Sequence, residues 1–366
     1  MIKTYKYKLD PNRKQRELLR LMLDACRNLY NCALEQRRGQ RIGKFEQMRQ
    51  LTDVRAEFPE YQTVHVHVLQ NVIKKLNLAF EAFFRRCKNK QKPGFPRFKG
   101  KDRFDSFAFN NTGFWLQGNK LVISKIGKVK ICLSRSFPVG AKVKTLTVKR
   151  ICGSWYACFV IEYEPVPMLP NTDAVGIDVG IEKFAALSDF RFIENPKFYQ
   201  QSQMELRRAQ RRVARRKKGS HRRRKAVELL QKVHERIANR RKDFLHKEST
   251  KLVRQYGVIR VENLNIKGLS SGMLAKQVLD ASWSMFLSFL AYKAEEAGRK
   301  VIRVDCAYTS QTCPACGQIK KKELSERMPR CDCGYETHRD IAAAQIVLGR
   351  IAPLSVNVGR LSLCVA

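Results

Sequence analysis

Four cysteines in the last quarter of the chain constrain its fold more than any other feature. They form two close pairs, each followed by a glycine and separated by 14 residues: Cys313 and Cys316, then Cys331 and Cys333. Thiolates at such spacings form the two knuckles of a zinc ribbon and bind one structural zinc ion tetrahedrally. Four unrelated core cysteines are the alternative, but residues 320–323 between the pairs are too polar for a core. The spacing predicts a zinc site with four cysteine ligands, with His338 as a weaker alternative ligand.

The other eight cysteines are scattered singly through apolar or helical segments. They are Cys26, Cys32, Cys87, Cys132, Cys152, Cys158, Cys306 and Cys364. The amino-terminal residues alternate charged and apolar side chains and lack the apolar stretch of a secretion signal. No segment reaches the ~18 uncharged apolar residues of a membrane-spanning helix. We therefore expect a cytoplasmic protein that does not contact membranes, in which these cysteines are reduced core thiols.

The charge of the chain predicts a polyanionic partner. Lys and Arg number 72 against 33 Asp and Glu, which gives a formal net charge of +39. Solubility does not require so large an excess, and nucleic acid is the first candidate for the partner. Hydrophobic residues make up 44% of the chain, so global disorder is excluded and 366 residues suffice for two or three domains.

The first 164 residues indicate a sheet combined with two long helices. Residues 2–9 alternate as a strand, and the apolar spacing in residues 13–38 and 62–87 predicts helices. Short alternating runs between residues 104 and 164, separated by Gly, Asn and Ser, predict an antiparallel sheet or a small barrel. The proline-rich residues 165–170 form a stiff linker and mark a domain boundary.

Beyond this linker, strands and helices alternate as in an α/β domain. Strands are predicted at residues 174–178, 184–187, 190–193, 258–262 and 301–304, and helices within 197–255, at 282–297 and at 339–348.

Three carboxylates stand at the ends of these elements. Asp178 and Glu262 each lie at the end of an otherwise apolar strand, and Asp340 opens the last helix. A carboxylate at the end of a buried strand is costly unless it is paired or binds a cation. Three of them converging suit two Mg²⁺ ions, which can activate water for attack on a phosphodiester. The alternative is that each acid caps a helix or pairs with an arginine.

A basic helical stretch provides a candidate nucleic-acid surface. Residues 207–242 contain 17 Lys or Arg and only two Glu, so most of these cations have no partner within the stretch. Like charges one helical turn apart repel, and an anionic ligand would compensate them. The candidate contacts are Arg207, Arg208, Arg211, Arg212, Arg215, Arg216, Arg222 and Arg223. The alternative is a solvated face.

The loop at residues 92–99 interleaves aromatic and cationic residues. Arg97 and Lys99 are candidate phosphate contacts, and Phe95 and Phe98 could stack on bases. Equally, the two phenylalanines could anchor the loop to a core.

Together these motifs make the chain resemble the TnpB proteins of bacterial insertion sequences. The motifs on which the resemblance rests are Gly176-Ile-Asp178-Val-Gly180, Ala186-Leu-Ser-Asp189, Val261-Glu262-Asn263-Leu264, Thr309-Ser-Gln-Thr-Cys313-Pro-Ala-Cys316-Gly317 and His338-Arg339-Asp340. Tyr7-Lys8-Leu9-Asp10-Pro11 with Gln15, and Gly94-Phe95-Pro96-Arg97-Phe98-Lys99, are also similar to that family. The resemblance covers nearly the whole chain.

The resemblance implies a fold of class α/β plus β. An RNase H-like (RuvC) nuclease domain carries an inserted zinc ribbon and follows a wedge-type β-barrel with an inserted helical recognition lobe. The implied limits are residues 1–10 and 91–168 for the wedge, 11–90 for the lobe, 169–308 and 336–366 for the nuclease domain, and 309–335 for the ribbon.

The resemblance also implies a function. Such proteins are RNA-guided, metal-dependent DNA endonucleases encoded by insertion sequences, which cut next to a short flanking motif by two-metal phosphodiester hydrolysis. Asp178, Glu262 and Asp340 would be the catalytic ligands of two Mg ions, and the four clustered cysteines would bind one structural Zn. The partners would be a guide RNA from the transposon end and double-stranded target DNA. A monomer associated with the bacterial nucleoid is implied.

Two alternatives remain open from the residues. One is a nuclease-dead, RNA-guided DNA-binding regulator, against which the intact carboxylates argue. The other is a DNA-binding transposition accessory protein without guide RNA, which charge alone does not distinguish because both nucleic acids are polyanions.

The chain departs from the family at Ala342, where an Asn usually follows the last catalytic Asp by two residues. Asp189 and Asp305 are further acids near strand ends that could support the site.

Overall fold

A computed structural model describes residues 1–321, 323 and 326–350, without the side chain of Lys267. Residues 351–366, which include Cys364 and the end of the predicted nuclease domain, lie outside the described part. The chain divides into two compact units, Met1–Glu164 and one that begins at Pro165. No helix in the described part is long and apolar enough to cross a membrane.

A seven-stranded antiparallel sheet forms the frame of the first unit. Its strands are β1 (Ile2–Asp10), β2 (Ser106–Phe109), β3 (Phe114–Gln117), β4 (Lys120–Ile123), β5 (Gly127–Cys132), β6 (Lys142–Ile151) and β7 (Ser154–Glu162). They are arranged in the order β2-β6-β7-β1-β5-β4-β3. The sheet curls, so that rings from its two edge strands meet: the centroids of Phe109 and Phe114 are 6.1 Å apart. The predicted antiparallel sheet is confirmed as a curled sheet.

Helices complete the core of this first unit. They are α1 (Arg13–Gly39), α2 (Lys44–Arg49), α3 (Leu51–Glu57) and α4 (Val66–Lys88), with a 3-10 turn at Pro59–Thr63. Asn12 and Gln15 form a reciprocal capping box that begins α1 next to the break at Pro11. The apolar faces of α1 and α4 belong to the same hydrophobic cluster as the inward residues of the sheet. The helices and the sheet therefore form one core.

The second unit is built on a five-stranded mixed sheet. Its strands are β8 (Ala174–Val179), β9 (Lys183–Leu187), β10 (Phe192–Glu194), β11 (Val258–Glu262) and β12 (Lys300–Val304). The order is β10-β9-β8-β11-β12, antiparallel from β10 to β8 and parallel from β8 to β12. The α/β organisation expected after the linker is thus confirmed.

The described part of the second unit also contains helices. They are α5 (Phe198–Gln201), α6 (Gln203–Ala214), α7 (His221–Gln255), α8 (Ile266–Leu269), α9 (Ala275–Ala281), α10 (Trp283–Ala297) and α11 (Arg339–Gly349). Val175 and Ile177 of β8 share a hydrophobic cluster with α7 and α10. Because side chains alternate along a strand, Gly176 and Asp178 belong to the opposite face, where α11 packs. The strand thus buries apolar residues on one face and holds Asp178 on the other.

Gly176 permits the close approach of α11 to β8. A Cβ at this position would lie 2.0 Å from the carbonyl oxygen of Ala344 and 2.7 Å from the backbone nitrogen of Leu348. Neither backbone atom can yield without moving the helix. Glycine is required at this position because α11 leaves no room for a Cβ, and not because the backbone has a positive φ.

We expect Gly176→Ala to displace α11 and to destabilise the protein by about 1–3 kcal/mol or more, the usual cost of overpacking. Thermal unfolding measures the loss. Gly349→Ala, at the end of α11 itself, is the control, because its Cβ would meet no described atom within 4 Å. Equal melting temperatures for the two variants would contradict the steric requirement.

Candidate functional site

The two predicted strand carboxylates are neighbours in the sheet. Asp178 is the penultimate residue of β8, and Glu262 is the last residue of β11. The parallel register pairs Ile177 with Val261, so the next residue on each strand is a carboxylate. Glu262 is buried, with 8% of its surface exposed, and Asp178 is half-buried. Both carboxylates therefore lie at the carboxyl edge of the parallel strands.

Helix α11 brings the third carboxylate to this edge. Asp340 is the second residue of the helix, and His338 caps it by accepting a hydrogen bond at Nδ1 from the Asp340 backbone N–H at 3.2 Å. The His338 ring also packs against Phe192 with centroids 4.9 Å apart. The His338 side chain therefore contacts the start of α11 and the Phe192 ring.

The electrostatics of Asp178 show that the three carboxylates share one environment. Burial, and then the negative charges of Glu262 and Asp340, raise the pKa of Asp178 well above its ordinary value. The nearby Arg339 guanidinium opposes this rise in pKa. Like charges held together in a partly buried site favour the binding of a cation between them.

Glu262 has its own hydrogen-bonding partner. The Thr309 hydroxyl donates to Oε1 of Glu262 at 2.6 Å. Burial raises the pKa of Glu262, while the hydrogen bond from Thr309 and the positive charge of Arg350 oppose the rise. The roles of Thr309, Arg339 and Arg350 beside the carboxylates were not anticipated from the sequence. Thr309 and Arg339 lie within motifs that carry the family resemblance, and that was the available signal.

The three carboxylates differ from the clustered cysteines. In the part of the chain that is described, the four cysteines form the one group of at least three potential ligands that could hold a single metal ion, and the carboxylates do not form such a group. The donor set, three carboxylates, is of the hard oxygen type that Mg²⁺ prefers.

The four clustered cysteines converge as their spacing predicts. Their sulfur atoms all lie within 4.8 Å of one another, with Cys313 and Cys333 3.7 Å apart and Cys316 and Cys331 3.6 Å apart. A tetrahedral zinc site with Zn–S bonds of ~2.3 Å has sulfur atoms about 3.8 Å apart, so the geometry fits zinc.

Two short turns hold the sulfurs. Gly317 donates its N–H to the carbonyl of Cys313, and Gly334 donates to that of Cys331, each at 2.9 Å. Both glycines have positive φ, 77° and 87°, which explains the glycine after each pair. Isolated bridges, Thr312 with Ile319 and Arg330 with Glu336, close each turn as a small hairpin.

The thiol ionisation in this cluster also favours a metal. Although burial opposes it, backbone N–H groups of Cys316 and Ala315 help to lower the pKa of Cys313 to about 7. Although a hydrogen bond from the backbone of Gln318 opposes it, desolvation and the neighbouring thiols of Cys333, Cys331 and Cys313 raise the pKa of Cys316 to about 12. Four thiolates at this separation repel unless a cation compensates them, and zinc supplies that charge.

The remaining acidic candidates have other partners. Asp189 accepts hydrogen bonds from Arg191 and from the Tyr256 hydroxyl. Asp305 follows β12 and accepts from the backbone N–H of Ala307 at 3.3 Å.

The prediction that the scattered cysteines are core thiols was wrong for four of them. Of the seven that the structure describes, Cys26 alone is buried, and burial raises the pKa of its thiol to about 12. Four are exposed and two are partly exposed: Cys32, Cys87, Cys132 and Cys306, then Cys152 and Cys158. An apolar neighbourhood in sequence did not place these thiols on the inner face of their element.

The arginine-rich stretch forms an antiparallel helical hairpin of α6 and α7. Leu206, Val233 and Ile237 pack between the helices, and Gly219 has a positive φ of 82° in the connection. Seven of the eight candidate arginines are exposed, and none has an ion pair among the described residues: Arg207, Arg208, Arg211, Arg212, Arg215, Arg216 and Arg222.

Arg223 differs from these seven. Its Nη1 donates to the carbonyls of Val213 and Arg216, at 2.7 and 3.0 Å, so this side chain holds the hairpin connection together. Its guanidinium thus joins the last turn of α6, at Val213, to the connection that follows it, at Arg216.

The basic aromatic loop is partly anchored. Phe95 packs edge-on against Phe80 and Phe83 of α4, with centroids 5.5 and 5.4 Å apart. The backbone of Lys99 exchanges two hydrogen bonds with the Asn31 side chain, and Arg97 is exposed. Phe95 is nevertheless 45% exposed, so anchoring and base stacking are compatible.

Three family profiles match the chain. Residues 158–272 match the IS605 OrfB family, described as a probable transposase. Residues 283–347, which include the cysteine cluster and α11, match the Cas12f1-like TNB domain, and residues 1–41 match a helix-turn-helix domain of the OrfB group.

Curated relatives extend the match over nearly the whole chain. A Streptomyces pristinaespiralis protein, named as an RNA-guided DNA endonuclease, is 33% identical over 360 residues, which cover 94% of this chain and 88% of the relative. InsQ of Escherichia coli (strain K12), named in the same way, is 30% identical, with 95% and 92% covered. CRISPR-associated endodeoxyribonuclease Cas12f1 of Sulfoacidibacillus thermotolerans is 30% identical over 52% of this chain and 49% of its own.

The fold is shared with a solved effector complex. A cryo-EM structure of a Cas12f1–sgRNA–target DNA complex aligns with a TM-score of 0.57 at 14% identity, covering 92% of this chain and 83% of that one. The identity with the two full-length relatives and the profile matches decide the family. This chain belongs to the TnpB family of RNA-guided DNA endonucleases of insertion sequences.

Proposed function

We propose that the protein cuts double-stranded DNA under the direction of a guide RNA, with Asp178, Glu262 and Asp340 as the ligands of two Mg²⁺ ions. The observation that carries this proposal is the shared environment of the three carboxylates, in which Glu262 and Asp340 both raise the pKa of Asp178. Such a cluster destabilises the fold unless it binds cations. A RuvC-type nuclease domain accounts for the sheet order and for the three acids.

The residues around the carboxylates have distinct tasks in this mechanism. When bound, Mg²⁺ supplies an activated water and stabilises the leaving oxygen of the phosphodiester. Asp178 and Glu262 hold their carboxylates side by side on rigid strands, and Asp340 approaches from the start of α11. Arg339 and Arg350 add positive charge close to Asp178 and Glu262, which favours an anionic backbone at this edge.

The guide RNA would provide the sequence specificity. In RNA-guided nucleases, base pairing with the guide reads the target strand, while the protein reads a short flanking motif. The complex of Cas12f1 with sgRNA and target DNA supports RNA and DNA partners for this chain as well. The curled sheet would act as the wedge barrel and the α1–α4 helices as the recognition lobe, with the limits given above. We further propose that the protein acts as a monomer on nucleoid DNA.

Copurified nucleic acid tests this function. The protein is purified, its RNA is sequenced, and plasmids carrying the matching target beside a randomised flank are incubated with Mg²⁺. We expect one enriched RNA and cleavage only of the matching target next to one flanking motif. Magnesium omission and a scrambled target are the controls. Absence of a specific RNA would instead favour the transposition accessory, and target binding without cleavage would favour the nuclease-dead regulator.

The exposed arginines of the α6–α7 hairpin are proposed to contact nucleic-acid phosphates. Replacing Arg207, Arg208, Arg211 and Arg212 with Gln should weaken RNA binding regardless of sequence. The dependence of log affinity on log salt should also flatten by about 0.7–0.9 for each phosphate that the variant no longer neutralises. Binding at several salt concentrations measures both effects.

The control for this prediction lies on α7 of the same hairpin. Lys247 and Lys251 have carboxylate partners, Asp243 at 2.7 Å and Glu248 at 2.8 Å, so Lys247→Gln with Lys251→Gln should leave the slope unchanged. An unaltered slope in the arginine variant would show a solvated face and would direct attention to the loop with Arg97 and Lys99. Arg223 is left intact because it holds the hairpin together.

A further inference from the structure

The Thr309 side chain joins the carboxylate site to the zinc ribbon. Its hydroxyl donates to Oε1 of Glu262 at 2.6 Å, and both residues are buried, with 5% and 8% of their surfaces exposed. The same hydroxyl lies 3.2 Å from the Cys306 carbonyl oxygen, but it has one proton, and the shorter contact is to the carboxylate. Hydrogen bonds to a charged acceptor are also the stronger kind.

A turn at residues 308–312, directly before the first cysteine of the ribbon, holds Thr309 in this position. Tyr308 adopts a left-handed conformation with φ 58°, which is unusual for a side chain of its size. Its carbonyl accepts hydrogen bonds from the backbone N–H groups of Gln311 and Thr312, both at 3.0 Å. Cys313, the first cysteine of the zinc site, follows directly, so the position of Thr309 depends on the ribbon.

A single hydroxyl at this point constrains the carboxylate. Donation to Oε1 fixes the rotation of the Glu262 carboxyl group and occupies one lone pair, which leaves Oε2 available to a metal ion. Without the donor, a buried carboxylate oxygen would be unpaired and the group would be able to turn. Partners of this kind, which orient a metal ligand, typically change metal affinity by about 10–100-fold when they are removed.

We propose that Thr309 is a positioning residue that aims Glu262 at the metal pair, and that the zinc ribbon orders the catalytic centre through it. This inference rests on the proposed role of Glu262 as a metal ligand. It assigns the ribbon a task at the active site beyond its own stability.

Mn²⁺ binding to the full-length protein, freed of nucleic acid and followed by electron paramagnetic resonance, tests the inference. Thr309→Val, which keeps the shape and removes the hydroxyl, should weaken Mn²⁺ binding by about tenfold or more. Thr309→Ala is the second variant, for use if Val disturbs folding, because it removes the hydroxyl without placing a methyl group against the carboxylate. Thr309→Ser retains the donor and should stay within about threefold of the wild type. All variants should retain one zinc per chain.

Thr312 provides a matched control in the same turn. Its hydroxyl donates to the Tyr308 carbonyl at 2.8 Å, so Thr312→Val removes a hydroxyl that does not reach Glu262 and should leave Mn²⁺ affinity unchanged. Unchanged affinity in Thr309→Ala overturns the inference, as does a Ser variant that binds as weakly as Val, or zinc loss in Thr309→Ala. Glu262→Gln in the same titration separates the proposals: if it binds Mn²⁺ like the wild type, the ligand assignment itself fails.

Discussion

Asp178→Ala should abolish target cleavage and leave guide RNA and target binding largely intact. Asp178 contributes charge at the metal site, and its strand is held by apolar residues on the opposite face. Losing a ligand of the metal pair removes several kcal/mol of transition-state stabilisation, which corresponds to about a thousandfold or more in rate. Plasmid cleavage and filter binding measure the two effects separately. Glu262→Gln and Asp340→Ala should behave alike, because the ligands share the same ions.

Asp189→Ala is the control for this loss. Asp189 is also an acid near a strand end, but it pairs with Arg191 at 2.6 Å and has no contact with the three carboxylates among the described residues. Cleavage should therefore persist in this variant. Undiminished cutting by Asp178→Ala would remove that residue from the metal site.

In the absence of magnesium, removing the charge of Asp178 should stabilise the fold. The folded-state pKa of Asp178 is raised, so the fold binds its proton more tightly than the unfolded chain does. The ionised carboxylate consequently destabilises the fold above the unfolded pKa of about 3.9, increasingly as pH rises towards the folded value. Asp178→Asn should raise the melting temperature at neutral pH in magnesium-free buffer, and the gain should vanish below pH ~3.9. A lower melting temperature would contradict the electrostatic account.

Cys313→Ser or Cys331→Ser should release zinc and unfold residues 309–338. The segment has little core of its own, and structural zinc contributes about 10–16 kcal/mol to folding in zinc-finger peptides. The ends of this segment carry Thr309, which contacts Glu262, and His338, which caps the helix of Asp340. Cleavage should therefore fall along with the zinc content. Elemental analysis, limited proteolysis and plasmid cleavage follow the three consequences.

Cys306→Ser is the matched control for zinc loss. Cys306 is exposed, precedes the cluster by seven residues and lies outside the group of four sulfurs. This variant should keep one zinc per chain and resist proteolysis like the wild type. A wild-type protein without zinc would refute the assignment, and stoichiometric zinc in Cys313→Ser would refute the role of that ligand.

Patterns confined to one element were readable from the sequence. The strand at residues 258–262 was predicted with the limits that β11 has, because five apolar-rich residues between a glycine and an asparagine favour a buried strand. The helix α1 was also predicted to within one residue, since its apolar spacing and the break before it at Pro11 are local signals. By contrast, α2, α3 and β3 were not anticipated, because such short elements carry too few periods of the pattern.

The exposed cysteines and Arg223 show a different limit. Cys32 lies on α1, whose buried face includes Leu29, Tyr30 and Ala33, yet Cys32 itself is exposed. Arg223 has the same sequence context as the neighbouring arginines, but the turn between α6 and α7 brings it to the carbonyls of Val213 and Arg216. Composition around a residue does not specify the direction in which its side chain points.

Residue types and their spacing were enough to identify the chemical groups that this protein carries: three acids at element ends, four paired cysteines and a large excess of cations. How these groups cooperate depends on the tertiary structure. It placed Asp178 beside Glu262 through the strand register, brought α11 against β8 at Gly176, and aimed the Thr309 hydroxyl at Glu262. The reason is physical: residue type and spacing set local preferences, whereas contacts between residues distant in the chain depend on how separate elements pack.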